Sequence, residues 1–196
     1  MPRPKTGDKR AAILRAATET IAEDGLSAST ARIAKAAAVA EGSLFRYFPD
    51  KDTLLNELYL ELKLDVRCAM IAGFPVTGSL RRRVQHMWNA YIRWGMESPA
   101  KRKAMVQLDV SERITDYSRQ EGKVGFEDAT EAMEQLVARG KLRGMPPAFA
   151  SALLLAMAET TMASMAMSPA DSVRYRATGF EAFWSAAARK GSRHQT

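Results

Sequence analysis

Apolar residues recur at three- and four-residue intervals along almost the whole of this 196-residue chain. This spacing is typical of amphipathic helices, because side chains three and four positions apart lie on one helix face. The alternation of apolar and polar residues that marks a half-buried strand is missing, as are hairpin signals such as Asn-Gly. The pattern therefore predicts an all-α protein of about nine helices.

The N-terminal part of the pattern predicts one long helix and two short ones. The predicted helices run over residues 8–24, from Ser29 or Thr30 to about Ala37, and over Ser43–Phe48. A hydroxyl group at the start of the second helix can cap it, and a break at residues 38–41 separates the second from the third. Gly25 ends the first helix and Pro49 ends the third.

The rest of the chain predicts six further helices. They run over Lys51–Ala72, from Ser79 to Ser98, from Pro99 to about Ile114, around Phe126–Val137, from Pro146 to Ser168, and over Val173–Ala187. Asp50 can cap the first of these, and proline opens or ends several of them. We expect the polar tail, residues 189–196, to be frayed.

Two short helices joined by a tight break, after a longer helix, form a tri-helical helix-turn-helix unit of about fifty residues. An α-helix fits the major groove of DNA, and its partner helix braces it so that only the outer face reaches the bases. Leu44 and Phe48 are the inward positions of the third helix. Its outward residues are Glu41, Gly42, Ser43 and Arg46, flanked by Phe45 and Tyr47.

The outward residues have chemistry that suits a DNA groove. Arg46 is the natural reader of a guanine edge or a phosphate. Glu41 can accept from a cytosine amino group, although a carboxylate also repels phosphates. Gly42 allows the backbone to approach the groove closely.

The same stretch contains a recurrent combination of an aromatic pair, a proline and a following lysine. Its members are Ile33-Ala34, Ala37, Val39, Gly42, Leu44-Phe45, Tyr47-Phe48, Lys51 and Leu54-Leu55. Over about residues 10–58 it resembles the DNA-binding domain of TetR-family transcriptional regulators. The resemblance implies a homodimer with an operator-binding domain over residues 1–50. It also implies a helical domain over residues 51–196 that holds the dimer interface and a small-molecule pocket.

The resemblance also implies roles for particular residues. Phosphate contacts fall on Ser29 or Thr30, on Tyr47 and on Lys51, and base contacts on Glu41, Ser43 and Arg46. The basic residues Arg3, Lys5, Lys9 and Arg10 form an arm that can follow the DNA backbone or enter a minor groove; a solubilising tail is the alternative.

Three residues depart from the family pattern. Ala38 stands where the family usually has a turn glycine, which costs about 1 kcal/mol if the residue is left-handed. Ala40 replaces a common serine and so removes a helix cap. Phe45 replaces a common tyrosine and removes a hydroxyl group.

Large apolar side chains in the C-terminal part can line a pocket for a small lipophilic or aromatic effector. The candidates are Trp88, Tyr91, Met105, Phe126, Met133 and Met162. Ordinary core packing is the alternative for each of them. A second set predicts a dimer bundle: Phe180 and Trp184, with a face of small residues at Ala156, Thr160, Ala163 and Ser164.

Composition changes this interpretation little. Apolar residues make up 46% of the chain, and Lys and Arg outnumber Asp and Glu by 29 to 22, a formal net charge of +7. A positive balance favours a polyanion such as nucleic acid or an acidic membrane surface, but many soluble proteins are also basic. The basic triplets at residues 81–83 and 101–103 are expected to be solvated faces rather than ligand sites.

Other residue types exclude several functions. The single cysteine, Cys68, is expected to be a small buried side chain, and His86 a surface or hydrogen-bonded one. We expect no metal, no cofactor and no enzymatic activity, because no nucleophile-base set, glycine-rich phosphate loop or metal-ligand spacing occurs. No uncharged apolar run of about 18 residues occurs, so we expect no membrane span and a cytoplasmic protein.

Together these features predict a DNA-binding repressor that a small-molecule inducer releases from a palindromic operator. The sequence leaves open an activating or ligand-independent regulator of the same fold. It also leaves open a basic helical binding protein without operator specificity.

Overall fold

A computed structural model describes residues 6–189 of the chain, with side chains from Lys9 onward. Between these bounds the protein is all-α, with ten α-helices and one short 3-10 helix, Pro169–Asp171. The α-helices are α1 Thr6–Asp24, α2 Thr30–Ala36, α3 Glu41–Leu44, α4 Lys51–Ile71, α5 Leu80–Glu97, α6 Pro99–Asp109, α7 Asp116–Glu121, α8 Glu127–Arg139, α9 Pro147–Met167 and α10 Ser172–Ala187. The predicted fold class is confirmed. Residues 190–196 of the predicted tail lie outside the described residues.

The described residues divide into two compact units. The first comprises the chain up to Val66 together with Ser98–Val124, and the second comprises Arg67–Glu97 and the chain from Gly125. Helix α4 therefore begins in the first unit and ends in the second.

The first unit buries the apolar faces of its helices against one another. Ile13, Leu14, Ala17, Ile21, Ile33, Leu44, Phe48, Leu54, Leu55 and Leu58 are all fully buried. Helix α6 packs on α1, and the Gln107 side-chain amide donates to the carbonyl of Ile21 at 3.1 Å. The inward positions predicted for α1 and for Leu44 and Phe48 are confirmed.

The turn between α2 and α3 depends on a left-handed alanine. Ala38 has φ +54°, a conformation that costs an L-residue with a Cβ about 1–2 kcal/mol. Its N–H donates to Lys35 O at 3.1 Å, and the N–H of Val39 donates to Ala34 O at 3.0 Å. These two bonds form the closing pattern of a helix that usually ends in glycine. The strain predicted from the missing turn glycine is therefore present.

Two predicted helix boundaries are wrong. The third helix was placed at Ser43–Phe48, but α3 spans Glu41–Leu44 and turns continue to Phe48. The helix expected to reach Ile114 ends at Asp109, and α7 follows as an additional helix. The Thr115 hydroxyl caps α7 by accepting from the N–H of Ser118. This cap was the sequence signal for α7, because the helix is too short to show apolar periodicity.

The second unit packs α5 against α8, α9 and α10, and Trp88 of α5 is fully buried in it. The indole N–H of Trp88 donates to Arg176 O at 3.0 Å, and the ring lies 6.2 Å from that of Phe180. A Cβ on Gly179 would lie 2.8 Å from the Trp88 ring and 2.4 Å from the Thr161 hydroxyl oxygen. Gly179 therefore permits the close approach of α10 to its neighbours.

Of the two aromatic residues in the predicted dimer seam, Phe180 packs inside this unit, whereas Trp184 is half-buried. Phe180 is buried, and Trp184 stacks on it at 6.1 Å. The Arg81 guanidinium lies over both rings, at 5.3 and 5.4 Å, and pairs with Glu181. Helical spacing alone could not distinguish this intramolecular seam from one between two chains.

The structure also bears on the predictions made for Cys68, His86 and the basic triplet at residues 81–83. Cys68 is exposed, not buried, because it lies on the outer face of α4. His86 is hydrogen-bonded as expected, with Nε2 2.9 Å from Met70 O. The first basic triplet is not simply a solvated face, because Arg83 is buried and bonded to Glu131 and Gln135.

Within the described residues, α9 is long and apolar enough, by length and composition, to cross a membrane. Its best window has a mean hydropathy of 1.3 and is 33% buried. Core helices of soluble proteins have the same composition, so one such helix is a weak indication of a membrane span.

Replacing Ala38 by glycine should stabilise the first unit. Ala38→Gly removes about 1–2 kcal/mol of left-handed strain from the folded state. It also costs about 0.4–1 kcal/mol, because glycine raises the conformational entropy of the unfolded chain. We expect a net gain of about 0.5–1 kcal/mol in the free energy of unfolding, measured by urea denaturation. The matched control is Ala37→Gly, because Ala37 has φ −77°; it should lose about 0.5–1 kcal/mol. Equal changes in both variants would contradict this explanation.

Candidate nucleic-acid interface

The candidate interface is built on α3 and the turns that follow it. Ala40 occupies the cap position of α3 and makes no side-chain cap bond, as expected from the missing serine. Leu44 and Phe48 are both fully buried. The segment is therefore anchored from behind by two side chains and is not stabilised by its own cap.

The residues on the opposite side of this segment are accessible. Glu41, Gly42 and Arg46 are exposed, and Ser43 and Tyr47 are half-buried. A Cβ placed on Gly42 would meet no atom within 4 Å, so the backbone at this point faces open space. Within the described part of the chain, the backbone N–H of Arg46 donates to Ser43 O at 3.3 Å, but its side chain makes no hydrogen bond or ion pair, so the guanidinium is available to a partner. The predicted outward face is thus present as a surface.

Glu41 is tied to the start of α2. The hydroxyl of Thr30 donates to Glu41 Oε1 at 2.7 Å. Glu41 is exposed and Thr30 is half-buried, and their bond joins the first residue of α2 to the first residue of α3. The bond therefore bridges the two short helices on the outward side of the turn.

Ser29 caps α2 as the sequence predicts. Its hydroxyl oxygen accepts from the N–H of Arg32 at 3.2 Å. The Arg32 guanidinium pairs with Asp24 at 2.6 Å and with Glu23 at 3.1 Å. These contacts join the start of α2 to the end of α1.

Lys51 makes a contact that the sequence did not indicate. Its ammonium group donates to Leu26 O at 2.7 Å, which joins the start of α4 to the loop after α1. Partial burial lowers the pKa of Lys51 below its usual value, and the charge of Arg113 lowers it further. An ammonium group has three protons, so this bond leaves two for another acceptor.

Asp50 caps α4, as expected. Its carboxylate accepts from the N–H of Thr53 at 2.7 Å. This bond to a backbone N–H is the main cause that lowers the pKa of Asp50. Lys51 is therefore held at the first turn of a capped helix.

The predicted basic arm is only partly within the described residues. Arg3 and Lys5 lie outside them, and Lys9 is half-buried on α1. Arg10 lies over the Phe48 ring, 5.5 Å from its centroid, and pairs with Glu57. Arg10 thus contacts α4 and the anchor of the candidate interface.

The six predicted effector-pocket residues are distributed over both units. Met105 lies in the first unit, whereas Trp88, Tyr91, Met133 and Met162 are buried in the second. Phe126 lines a described cavity in the second unit. The other lining residues are Met70, Ile71, Phe74, Met87, Gly125, Asp128 and Ala129. The cavity has a volume of about 10 Å³, which holds about one water molecule.

Comparison with known proteins identifies the N-terminal domain. Residues 13–58 match the family model described as bacterial regulatory proteins, tetR family. The N-terminal domain belongs to the TetR family. The match covers α2, α3 and the buried residues that anchor them, so the predicted resemblance is confirmed.

Solved structures extend the likeness beyond this TetR-family domain. A TetR family transcription regulator from Shewanella sp. PV-4 is 27% identical, with a TM-score of 0.80 over 93% of this chain and 99% of that one. A TetR family regulator from Marinobacter aquaeolei VT8 is 22% identical, with a TM-score of 0.79 over 94% and 97% of the two chains. The TetR-like regulator LfrR from Mycobacterium smegmatis, solved in complex with proflavine, is 18% identical, with a TM-score of 0.67 over 93% and 99%. The chain therefore has the fold of TetR-family transcription regulators.

Lys51 should contribute to the stability of the N-terminal domain matched over residues 13–58. Lys51→Met removes the ammonium group that bonds Leu26 O and keeps most of the aliphatic stem. We expect a loss of about 1 kcal/mol or more in the free energy of unfolding, because hydrogen bonds from charged groups contribute more to stability than neutral ones do. Lys35→Met is the matched control, since Lys35 is exposed on α2 and its replacement removes the same charge. Urea denaturation at pH 7 measures both, and an equal loss in the two variants would rule out the specific contact.

Proposed function

We propose that this protein is a transcriptional repressor that binds a palindromic operator as a homodimer and is released by a small-molecule effector. It acts in the cytoplasm as a regulator and not as an enzyme. The observation that carries the proposal is the exposed face of Glu41, Gly42 and Arg46 above the buried Leu44 and Phe48. A TetR-family domain match over residues 13–58 supports it.

The proposed contacts divide into base readers and phosphate binders. Arg46 and Glu41 read base edges together with Ser43, whereas Tyr47 and Lys51 bind phosphates. In a dimer the two α3 segments enter successive major grooves on one face of DNA, about 34–36 Å apart. The distance between the two segments therefore decides whether both fit the operator.

A second copy of the chain is proposed to cover the exposed faces of α9 and α10. Ala156, Thr160 and Ala163 are exposed small residues on α9. Met167 and Val173, near the junction of the two helices, are 85% and 71% exposed. An apolar helix pair with this much accessible surface supports an interface between two protomers.

The effector is proposed to act through α4. Met70 and Ile71 at the end of α4 line the described cavity, and Leu54 and Leu55 near its start are buried in the TetR-family domain. LfrR, with the same fold, was solved with proflavine bound, which supports an aromatic or lipophilic effector here. A tenfold loss of operator affinity requires an effector that prefers the released state by only about 1.4 kcal/mol.

Arg46→Ala should reduce sequence discrimination. Loss of a bidentate contact to guanine should cost about 1–3 kcal/mol on the operator and little on random DNA. By contrast, Lys51→Ala should weaken both alike and flatten the dependence of log K on log salt. Fluorescence anisotropy with both duplexes, below the unfolding temperature, measures these effects. Arg15→Ala is the control for lost charge, because Arg15 is exposed on α1. Equal losses on both duplexes for Arg46→Ala would refute the assignment.

A charge placed on the proposed dimer face should separate the protomers. Ala163→Arg puts a guanidinium at the proposed interface, where burying it without a partner is costly. We expect monomers in analytical ultracentrifugation at concentrations where the wild type is dimeric, together with loss of operator binding. Val110→Arg is the control, because Val110 is 81% exposed in the first unit and lies outside the proposed interface. A dimeric Ala163→Arg would argue against this face.

A further inference from the structure

The hydroxyl groups at the start of α2 differ in how their protons are used. A carboxylate oxygen can only accept, so the 2.7 Å contact to Glu41 Oε1 uses the single proton of Thr30. The Ser29 hydroxyl instead accepts from the N–H of Arg32, and its own proton is not used by that bond. Ser29 therefore keeps a donor for a phosphate oxygen, whereas Thr30 would have to release Glu41 first.

This difference bears on how Glu41 is held. An exposed glutamate has several freely rotating bonds and loses side-chain entropy when it binds. Thr30 is β-branched and lies in the first turn of a helix, so its own side chain has few rotamers. A bond from Thr30 therefore fixes one carboxylate oxygen of Glu41 relative to α2 before DNA arrives, and the second oxygen remains an acceptor.

We infer that Thr30 is a positioning residue for Glu41, and that the pair gives a preference for cytosine over thymine at one position of each operator half-site. A cytosine amino group donates in the major groove, where thymine presents an acceptor in its place. A fixed carboxylate thus favours cytosine and repels thymine. The inference rests on the proposed function and assigns Thr30 a role in specificity in place of a phosphate contact.

The experiment begins with selection of duplexes from a random pool by the full-length wild-type protein. The position at which Glu41→Ala loses its base preference identifies the base read by Glu41. The discrimination ratio is the affinity for the selected duplex divided by that for the same duplex with C·G replaced by T·A at that position. Fluorescence anisotropy gives this ratio, and a random duplex gives the affinity without sequence recognition.

Four variants separate positioning from direct contact. Thr30→Val keeps the side-chain shape without the hydroxyl, and it should lower the discrimination ratio about three- to tenfold, the value of one hydrogen bond. Thr30→Ser keeps the hydroxyl and should retain the wild-type ratio. Glu41→Ala should lower the ratio at least as much as Thr30→Val. The double variant should match Glu41→Ala alone, because Thr30 acts through Glu41.

Several results would overturn the inference. If Thr30→Val weakens the selected, substituted and random duplexes equally, Thr30 is a phosphate contact. If its discrimination ratio stays at the wild-type value, or Glu41→Ala retains the preference, the pair does not read this base. Thermal unfolding checks each variant, and Thr30→Ala replaces Thr30→Val if the latter does not fold. A wild-type protein that selects no sequence would instead refute the proposed function, and the inference with it.

Discussion

The burial of Leu44 and Phe48 is the interaction on which the candidate interface depends. A helix of four residues forms too few hydrogen bonds to repay the entropy of its nucleation, and α3 has no side-chain cap. Its position is therefore set by the core of the first unit, to which Leu44 and Phe48 anchor it. The outward side chains of α3 inherit their placement from this anchor.

Several residues at the interface serve the fold and the proposed DNA contact together. Ser29 closes the first turn of α2, Lys51 fixes the loop after α1, and Thr30 links the two short helices. Ser29 and Lys51 keep a donor proton beyond these bonds, whereas the single proton of Thr30 is used and Thr30 acts through Glu41, whose second carboxylate oxygen remains an acceptor. Preorganisation of this kind lowers the entropy lost on binding.

Much of the fold could be predicted because apolar periodicity reports burial directly. Ile13, Leu14 and Ile21 are buried as their spacing indicates, and the missing turn glycine correctly placed left-handed strain at Ala38. Periodicity failed where segments were short, as in α7, or where an apolar seam had two potential partners, as at Phe180.

The details of the candidate site were harder to predict because they arise from tertiary contacts. Thr30 and Glu41 are separated by 11 positions, and Lys51 and Leu26 by 25, so no local spacing rule joins them. The outward direction of Glu41 and Arg46 could be predicted from the inward positions of Leu44 and Phe48. The bonds that hold Glu41 could not.

The small size of the cavity beside Phe126 has a kinetic consequence. A space that holds about one water molecule cannot admit an organic molecule until some of the side chains that line it, which include Phe74, Met87 and Phe126, move. Any compound that occupies it associates no faster than this opening occurs. The rate at which the protein responds to a sudden rise in the concentration of the compound would then be set by the protein's own motions. This rate would reach a plateau as the concentration increases.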